Sequence, residues 1–468
     1  MTHPPSSGTP LRQVWFAATF CLGLLGAVPA GAASALAAAP ATAAPPADVT
    51  GAVAQEAGPP READRPPASV SFDEALGLAA RAPGVAGAEA AAAEQRRIGE
   101  SVSSMVANPF LALQPGAARD PLDGQVKPMG EATLLQGWNL SGLPGDRKAA
   151  VRAEGALLSA EARAAALSHR LGAAQAWLEL WAAQRSLADS LQEHEIAKEF
   201  AERMARAAAA AAFTRAEAAD ASSYAAEAHV LAIQAEGEVT ERGYTLAAAM
   251  GLRVRDSLSA TGALPVPPVP ARTDWPTLLA AAERLPAVAA RRLAADADRA
   301  RESEARAAQG WRLGTGVKVT RDYLATWGAQ AVLDVSFPLF DRGEREASVQ
   351  AAAAARAGGE FQEASAAAAT ELARALHEVD HTREILDATE KELVPAAAEN
   401  ARLREASMRA GETTVLEVLV ARRGWAAARA KQTRAQAAHA WASVKLWLLL
   451  ADLEPGAATA AAPRGGTP

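Results

Sequence analysis

His377-Glu378-Val379-Asp380-His381 spells H-E-x-x-H, the pattern in which two imidazoles on one helical face hold zinc and the glutamate activates water. A metalloprotease site also needs a third ligand. Candidates such as Glu399 lie about 18 residues further on, about 27 Å away by helical rise, out of reach of the same ion. The surrounding residues point to packing. Leu372, Val379, Leu386 and Leu393 recur every seven residues, with Leu376 completing one step, as in a coiled-coil seam. His377 and His381 then fall at outward positions. The expectation is a solvated helical face, at most a weak two-histidine metal site, with no catalytic residue, no cofactor and no enzymatic activity. The sole cysteine, Cys21, offers neither disulfide nor thiol chemistry to the mature chain. Three further spacings, Ser71-x-x-Glu74, Thr214-x-x-Glu217 and Thr414-x-x-Glu417, read as capping boxes that open helices.

Composition narrows what these helices build. The 468 residues are 50% apolar but only 5% aromatic and 22% charged, with a net charge of -7. Phosphate binding needs clustered Lys and Arg, so nucleic acid is excluded as a partner. Alanine favours helix strongly and buries little area, which suits long, closely packed helices better than a thick core. Residues 1–35 read as an export signal, with Arg12, an apolar stretch from Val14 to Val28 and a cleavage site at Ala33-Ser34-Ala35. Ala18-Thr19-Phe20 ahead of Cys21 match a lipoprotein site poorly. An Ala- and Pro-rich leader (36–69) and a tail (454–468) read as disordered. No later segment supplies the ~18 apolar residues of a membrane-spanning helix. A membrane crossing would have to be made of strands.

The two halves repeat. Gly145-Asp146-Arg147 lines up with Gly343-Glu344-Arg345 (343 − 145 = 198), Pro83 with Pro286 (203), Thr214 with Thr414 (200) and Gly251 with Asp452 (201). Repeats over 70–252 and 274–453, joined by a linker at 253–273, each predict a shorter helix, two strands, a very long helix, a turn and a return helix. A single helix is expected from Ser71 to roughly Ala107, and another from Trp275 to Ala308. Trp311, Leu313, Thr315, Val317 and Val319 alternate with wetter residues, as do Ala329, Ala331, Leu333, Val335 and Phe337. The first copy is weaker, with Leu111, Leu113, Leu134, Trp138 and Leu140. Four strands per chain are too few to close a barrel, which needs at least about 8, so a barrel would demand an oligomer. The long helix from Gly343 to about Ala410 would span about 100 Å.

Phe337-Pro338-Leu339-Phe340-Asp341-Arg342-Gly343, Leu393-Val394-Pro395-Ala396 and Arg409-Ala410-Gly411-Glu412-Thr413-Thr414-Val415-Leu416-Glu417 resemble the outer-membrane efflux proteins, the TolC-like outer membrane factors. Pro-Leu-Phe-Asp-Arg and the Gly145-Asp146-Arg147 helix start are most similar to the cobalt-zinc-cadmium branch of heavy-metal efflux. The resemblance implies a mainly α chain whose antiparallel coiled-coil helices form a periplasmic tunnel. It implies four strands per protomer in the barrel of an outer-membrane homotrimer surrounded by lipid. It further implies a passive conduit docked to a periplasmic adaptor (membrane fusion) protein and an inner-membrane pump of the RND type. Multidrug or type I secretion exit ducts are alternatives, as is a soluble periplasmic coiled-coil scaffold. Glu217 with Asp220 at the first tip, and Glu417 with the Gly411 turn at the second, become gate candidates, since threefold symmetry would make each carboxylate a ring. The first tip departs from the pattern, with Ala211 in place of glycine, and a left-handed turn without glycine costs energy. Trp138, Trp311 and Trp327 suit membrane interfaces, Trp177 and Trp181 suit packing, and Pro395 should bend its helix.

Overall fold

The computed structural model describes residues 69–101, 108–254, 256–269, 275–340 and 343–451. The signal, Cys21, the leader through 68, the tail, Asp341-Arg342 and the far end of the helix expected to reach Ala107 lie outside them. The order is β1 (Ser69–Ser71), α1 (Phe72–Ala79), α2 (Pro83–Ser101), β2 (Phe110–Arg119), β3 (Val126–Asn139), α3 (Leu143–Ala209) and α4 (Arg215–Ala249). After β4 (Ser259–Thr261) come α5 (Trp275–Ala282), α6 (Pro286–Ala308), β5 (Arg312–Arg321), β6 (Trp327–Ser336) and α7 (Glu344–Ala388). A π-turn (Thr389–Leu393), α8 (Val394–Arg409) and α9 (Val415–Ala451) complete it. The chain is mainly helical with a small sheet, as expected.

Each expected first helix is two helices. The breaks fall just before Pro83 and Pro286, because proline disfavours helical torsions in the residue ahead of it and fits the first turn of a new helix. The glycine landmark also shifts. Left-handed Gly142 (φ 83°) and Gly343 (φ 72°) cap α3 and α7, an offset of 343 − 142 = 201, whereas Gly145 lies inside α3. At Gly343 a Cβ would stand 2.4 Å from Gln309 Cγ, so this corner requires glycine on steric grounds as well.

α3, with 67 residues and about 100 Å long, is the central strut. In the half nearer the strands the helices pack in the row α2, α3, α6, α7. Glu154 of α3 fastens three of them, accepting from Gln95 of α2 (2.8 Å) and from Arg301 of α6 (2.8 Å). In the other half α4 and α9 take over as neighbours of α3. At the middle, Trp177 is fully buried, its Nε1 donates to the Val70 carbonyl (2.9 Å), and Phe72 meets it edge-on. Trp177 is thus a packing residue, with Trp181 beside it. The linker carries structure that the sequence does not announce: β4 pairs in parallel with β1, which begins one residue before the first repeat's expected start.

The seam of α7 is Leu372, Ala375, Val379, Thr382, Leu386 and Thr389, buried or half-buried at alternating steps of three and four. Its second row is therefore Ala375, Thr382 and Thr389, where the sequence suggests Leu376. Leu393 drops out, 39% exposed. The π-turn explains this: the Val394 N–H donates to the Thr389 carbonyl five residues back, and the covered stripe resumes at Val394. Pro395 cannot donate to the helical ladder, and the widened turn ahead of it absorbs that loss.

Candidate functional site at the helical tip and the four-stranded sheet

Both long hairpins end in the same turn. Ala212 N–H donates to Ala207 O (2.9 Å) and Ala211 N–H to Ala208 O (3.1 Å). Opposite them, Glu412 N–H donates to Ser407 O (2.9 Å) and Gly411 N–H to Met408 O (3.0 Å). These bonds cap the last carbonyls of each outgoing helix. The left-handed residue is Gly411 (φ 77°) in one turn and Ala211 (φ 58°) in the other. The first tip thus keeps the geometry without glycine, at a torsional cost of about 1–2 kcal/mol.

The caps that follow differ. Glu217 N–H donates to Thr214 Oγ1 (3.2 Å), and the Glu217 carboxylate accepts from the Thr214 N–H and hydroxyl, both at 2.8 Å. The Thr214 N–H, and next its hydroxyl, hold the Glu217 carboxyl below the usual range, so it stays charged. At the second tip only half of the expected box forms. Glu417 N–H donates to Thr414 Oγ1 (3.4 Å), but its carboxylate turns to the Thr413 hydroxyl and to Arg404 of α8. A guanidinium within reach outcompetes a backbone amide for a half-exposed carboxylate. Asp220 is exposed one turn beyond Glu217. Glu217, Asp220, Glu417 and Gly411 share one end of the molecule, where Phe200, Met204, Tyr224, Val415, Val418 and Leu419 pack the hairpins together.

Behind this cluster lies a polar tie that the sequence reading misses. Arg422 of α9, 8% exposed, places Nη2 2.6 Å from Glu405 of α8 and Nη1 3.8 Å from Glu193 of α3. Tyr224 of α4 donates to Glu193 (2.5 Å); burial first, then this bond, pushes the phenol pKa up. Arg423 pairs with Glu227 (2.6 Å) and stands 5.2 Å over the Tyr224 ring, and Arg429 reaches Gln192 (3.0 Å) and Asp189. Three arginines of α9 therefore bind it to the first hairpin. The available signal was Arg422-Arg423 following Val418-Leu419 across from one of only 3 tyrosines.

His377 and His381 are both exposed on α7, 30 residues (411 − 381) before the second tip. Among the described residues no group of three or more His, Cys, Asp and Glu is placed to hold a metal ion.

The other end is a four-stranded antiparallel sheet in the order β2-β3-β5-β6. Its register aligns Leu111, Leu134, Val317 and Ala331 in one row, with Leu113, Ala132, Val319 and Ala329 and then Trp138, Leu313 and Val335 on the same face. The opposite face carries Gln114, Glu131 and Thr320, and Ala112, Thr133, Lys318 and Gln330, with Lys318 paired to Glu131 at 2.6 Å. The apolar face is open: Leu113 is 66% exposed and Leu333 70%. Trp138 and Trp311 lie at the helical end, and Trp327 at the far hairpin under Arg321. No helix of the described residues is long and apolar enough to cross a membrane. Residues 278–452 match the family model for outer membrane efflux protein. The match runs from within α5 to the end of α9, the second of the two halves. No curated protein sequence matches the chain.

Solved structures extend the likeness to the first half. CusC superposes with a TM-score of 0.71 at 14% identity, covering 81% of this chain and 91% of its own. The Campylobacter jejuni CmeC outer membrane channel gives 0.69 at 16%, covering 81% and 85%. The open state of the Neisseria gonorrhoeae MtrE outer membrane channel gives 0.67 at 18%, covering 81% and 88%. At these identities the likeness establishes the fold, and the fold is that of outer-membrane channels.

Proposed function

We propose that the protein is the outer-membrane exit duct of a tripartite efflux pump, a passive conduit that catalyses nothing. The observation that carries this is the sheet, apolar on one face, polar on the other and open at both edges, joined to helices about 100 Å long. An exposed apolar sheet needs lipid, and open edges need partners. A homotrimer would supply 4 × 3 = 12 strands, enough for a closed barrel, and would close the helical row by setting α7 against α2 of the next copy. A periplasmic adaptor and an inner-membrane pump of the RND type would meet the helical tips. Heavy-metal cations are the preferred cargo, supported by the resemblance to that branch and by the charged carboxylate of Glu217 at the tip, which attracts cations, whereas Glu417 is paired with Arg404. Asp220 and the Gly411 turn complete the proposed gate.

Adjacent residues test the sheet. Leu113→Arg puts a charge on the proposed lipid face and should cost about 2–4 kcal/mol of barrel stability, whereas Gln114→Arg, opposite Glu131, should be near neutral. The readout is heat-modifiable trimer in the outer-membrane fraction; equal behaviour of the two variants would favour a soluble periplasmic scaffold. Deleting the gene should sensitise cells to zinc, cobalt and cadmium. Sensitivity to hydrophobic drugs instead would assign the duct to multidrug export.

A further inference from the structure

Two imidazoles have no part in the conduit. His377 and His381 are one helical turn apart on α7, both exposed, with rings 10° from parallel and centroids 5.8 Å apart. Val379 and Thr382, between and beyond them, are buried toward α9, so the histidines project on the opposite side. Neither ring has a hydrogen bond or ion pair within the protein among the described residues, and both keep their nitrogens for solvent.

We propose that His377 and His381 form a two-imidazole clip for one divalent transition-metal ion of the Zn²⁺, Ni²⁺ or Cu²⁺ class, with water completing the shell. Imidazole nitrogen suits these ions, whereas Mg²⁺ and Ca²⁺ require oxygen donors. The helix already fixes the two ligands in register, so little ordering is needed when the ion binds. Between Arg374 and Glu384 the charged side chains are Arg374 and Arg383 against Glu378, Asp380 and Glu384, a sum of 2 − 3 = -1 that favours a cation. Among the described residues no third His, Cys, Asp or Glu is placed to join the two imidazoles, so the clip lacks the third protein ligand of a hydrolase.

The other histidines are less suited. His194 of α3 and His229 of α4 stack more tightly, at 4.7 Å and 22°, with His194 Nδ1 shut off from solvent. His439 is buried against Thr382, its Nδ1 3.3 Å from the hydroxyl, and burial lowers its pKa.

The full chain, purified in detergent without a polyhistidine tag, should be treated with diethyl pyrocarbonate with and without Zn²⁺, and each histidine followed by mass spectrometry. Zn²⁺ should protect His377 and His381 together, and Mg²⁺ should protect neither. His377→Gln and His381→Gln should each weaken protection of the remaining partner at least tenfold, with thermal midpoints in the absence of metal confirming the fold. His194→Gln should leave protection at His377 and His381 unchanged. Labelling of His377 and His381 indifferent to Zn²⁺, or protection of His377 surviving His381→Gln, would overturn the clip. Protection confined to His194 and His229 would do the same. The clip stands or falls independently of the conduit reading, because its readout involves neither export nor membrane.

Discussion

Ala211 and Gly411 make a reciprocal pair in which the same backbone turn is built once against torsional preference and once with it. Both tips close through matching bonds, Ala212 N–H to Ala207 O and Glu412 N–H to Ser407 O, each 2.9 Å. A Cβ at Gly411 would meet nothing within 4 Å, so Gly411→Ala adds no clash and its cost is torsional alone. The left-handed conformation costs an L-residue about 1–2 kcal/mol, while fixing a glycine loses about 0.5–1 kcal/mol of chain freedom. The difference is about 0.5–1 kcal/mol, or roughly two- to fivefold in an opening equilibrium. Ala211→Gly should therefore slow amide exchange of the 207–214 turn by that factor. Gly411→Ala should speed exchange of the 407–414 turn equally, and the double variant should show both effects independently, because no bond joins the turns. Hydrogen exchange with mass spectrometry reads each turn separately. If Ala211→Gly opens its turn faster, or if both single variants shift in the same direction, the argument that torsion governs the tips is wrong.

Arg422→Met leaves Glu193 and Glu405 facing an apolar chain. Its one good bond and its 10% side-chain exposure place the cost at about 2–3 kcal/mol, below that of a fully buried pair. Arg423→Ala, from a pair with side chains 44% and 50% exposed, should cost less than about 1 kcal/mol. Thermal midpoints compare the two, and the reverse order would contradict the assigned burial. The depressed carboxyl pKa of Glu217 sets a direction with pH: its contribution is present above the ordinary carboxylate value and is lost as pH falls through the lower folded value. The start of α4 should loosen in acid, and Thr214→Val, which removes the hydroxyl from the box, should flatten that dependence when exchange is compared between pH 6 and pH 3.

Periodicity made the four-stranded sheet legible. Val317 and Ala331 belong to separate alternating runs, yet register places them side by side on one face, as two half-buried strands joined by a short hairpin must be. The long helices were equally open to reading, since alanine content and the Leu372 and Val379 spacing survive any tertiary context. What escaped was set by partners distant in sequence. Arg422 is one arginine among 47 basic residues until α3 brings Glu193 to it. Glu417 satisfies the capping pattern on paper, and only the fold shows Arg404 drawing it away. Three-residue strands such as β1 and β4 are too short to carry a period. The π-turn is invisible because its cause, Pro395, signals only that something must give.

The pairing of β1 with β4 has a consequence for how the chain comes together. Ser71 sits beside Thr261, 261 − 71 = 190 residues later, so the first repeat is a lasso tied at its own waist. Val70 meets Trp177, 34 residues (177 − 143) from one end of α3 and 32 (209 − 177) from the other. That knot can be drawn only after the whole α3–α4 hairpin is available, which makes it a late, long-range step in folding. Val70 therefore stands halfway along α3, about 50 Å from either of its ends.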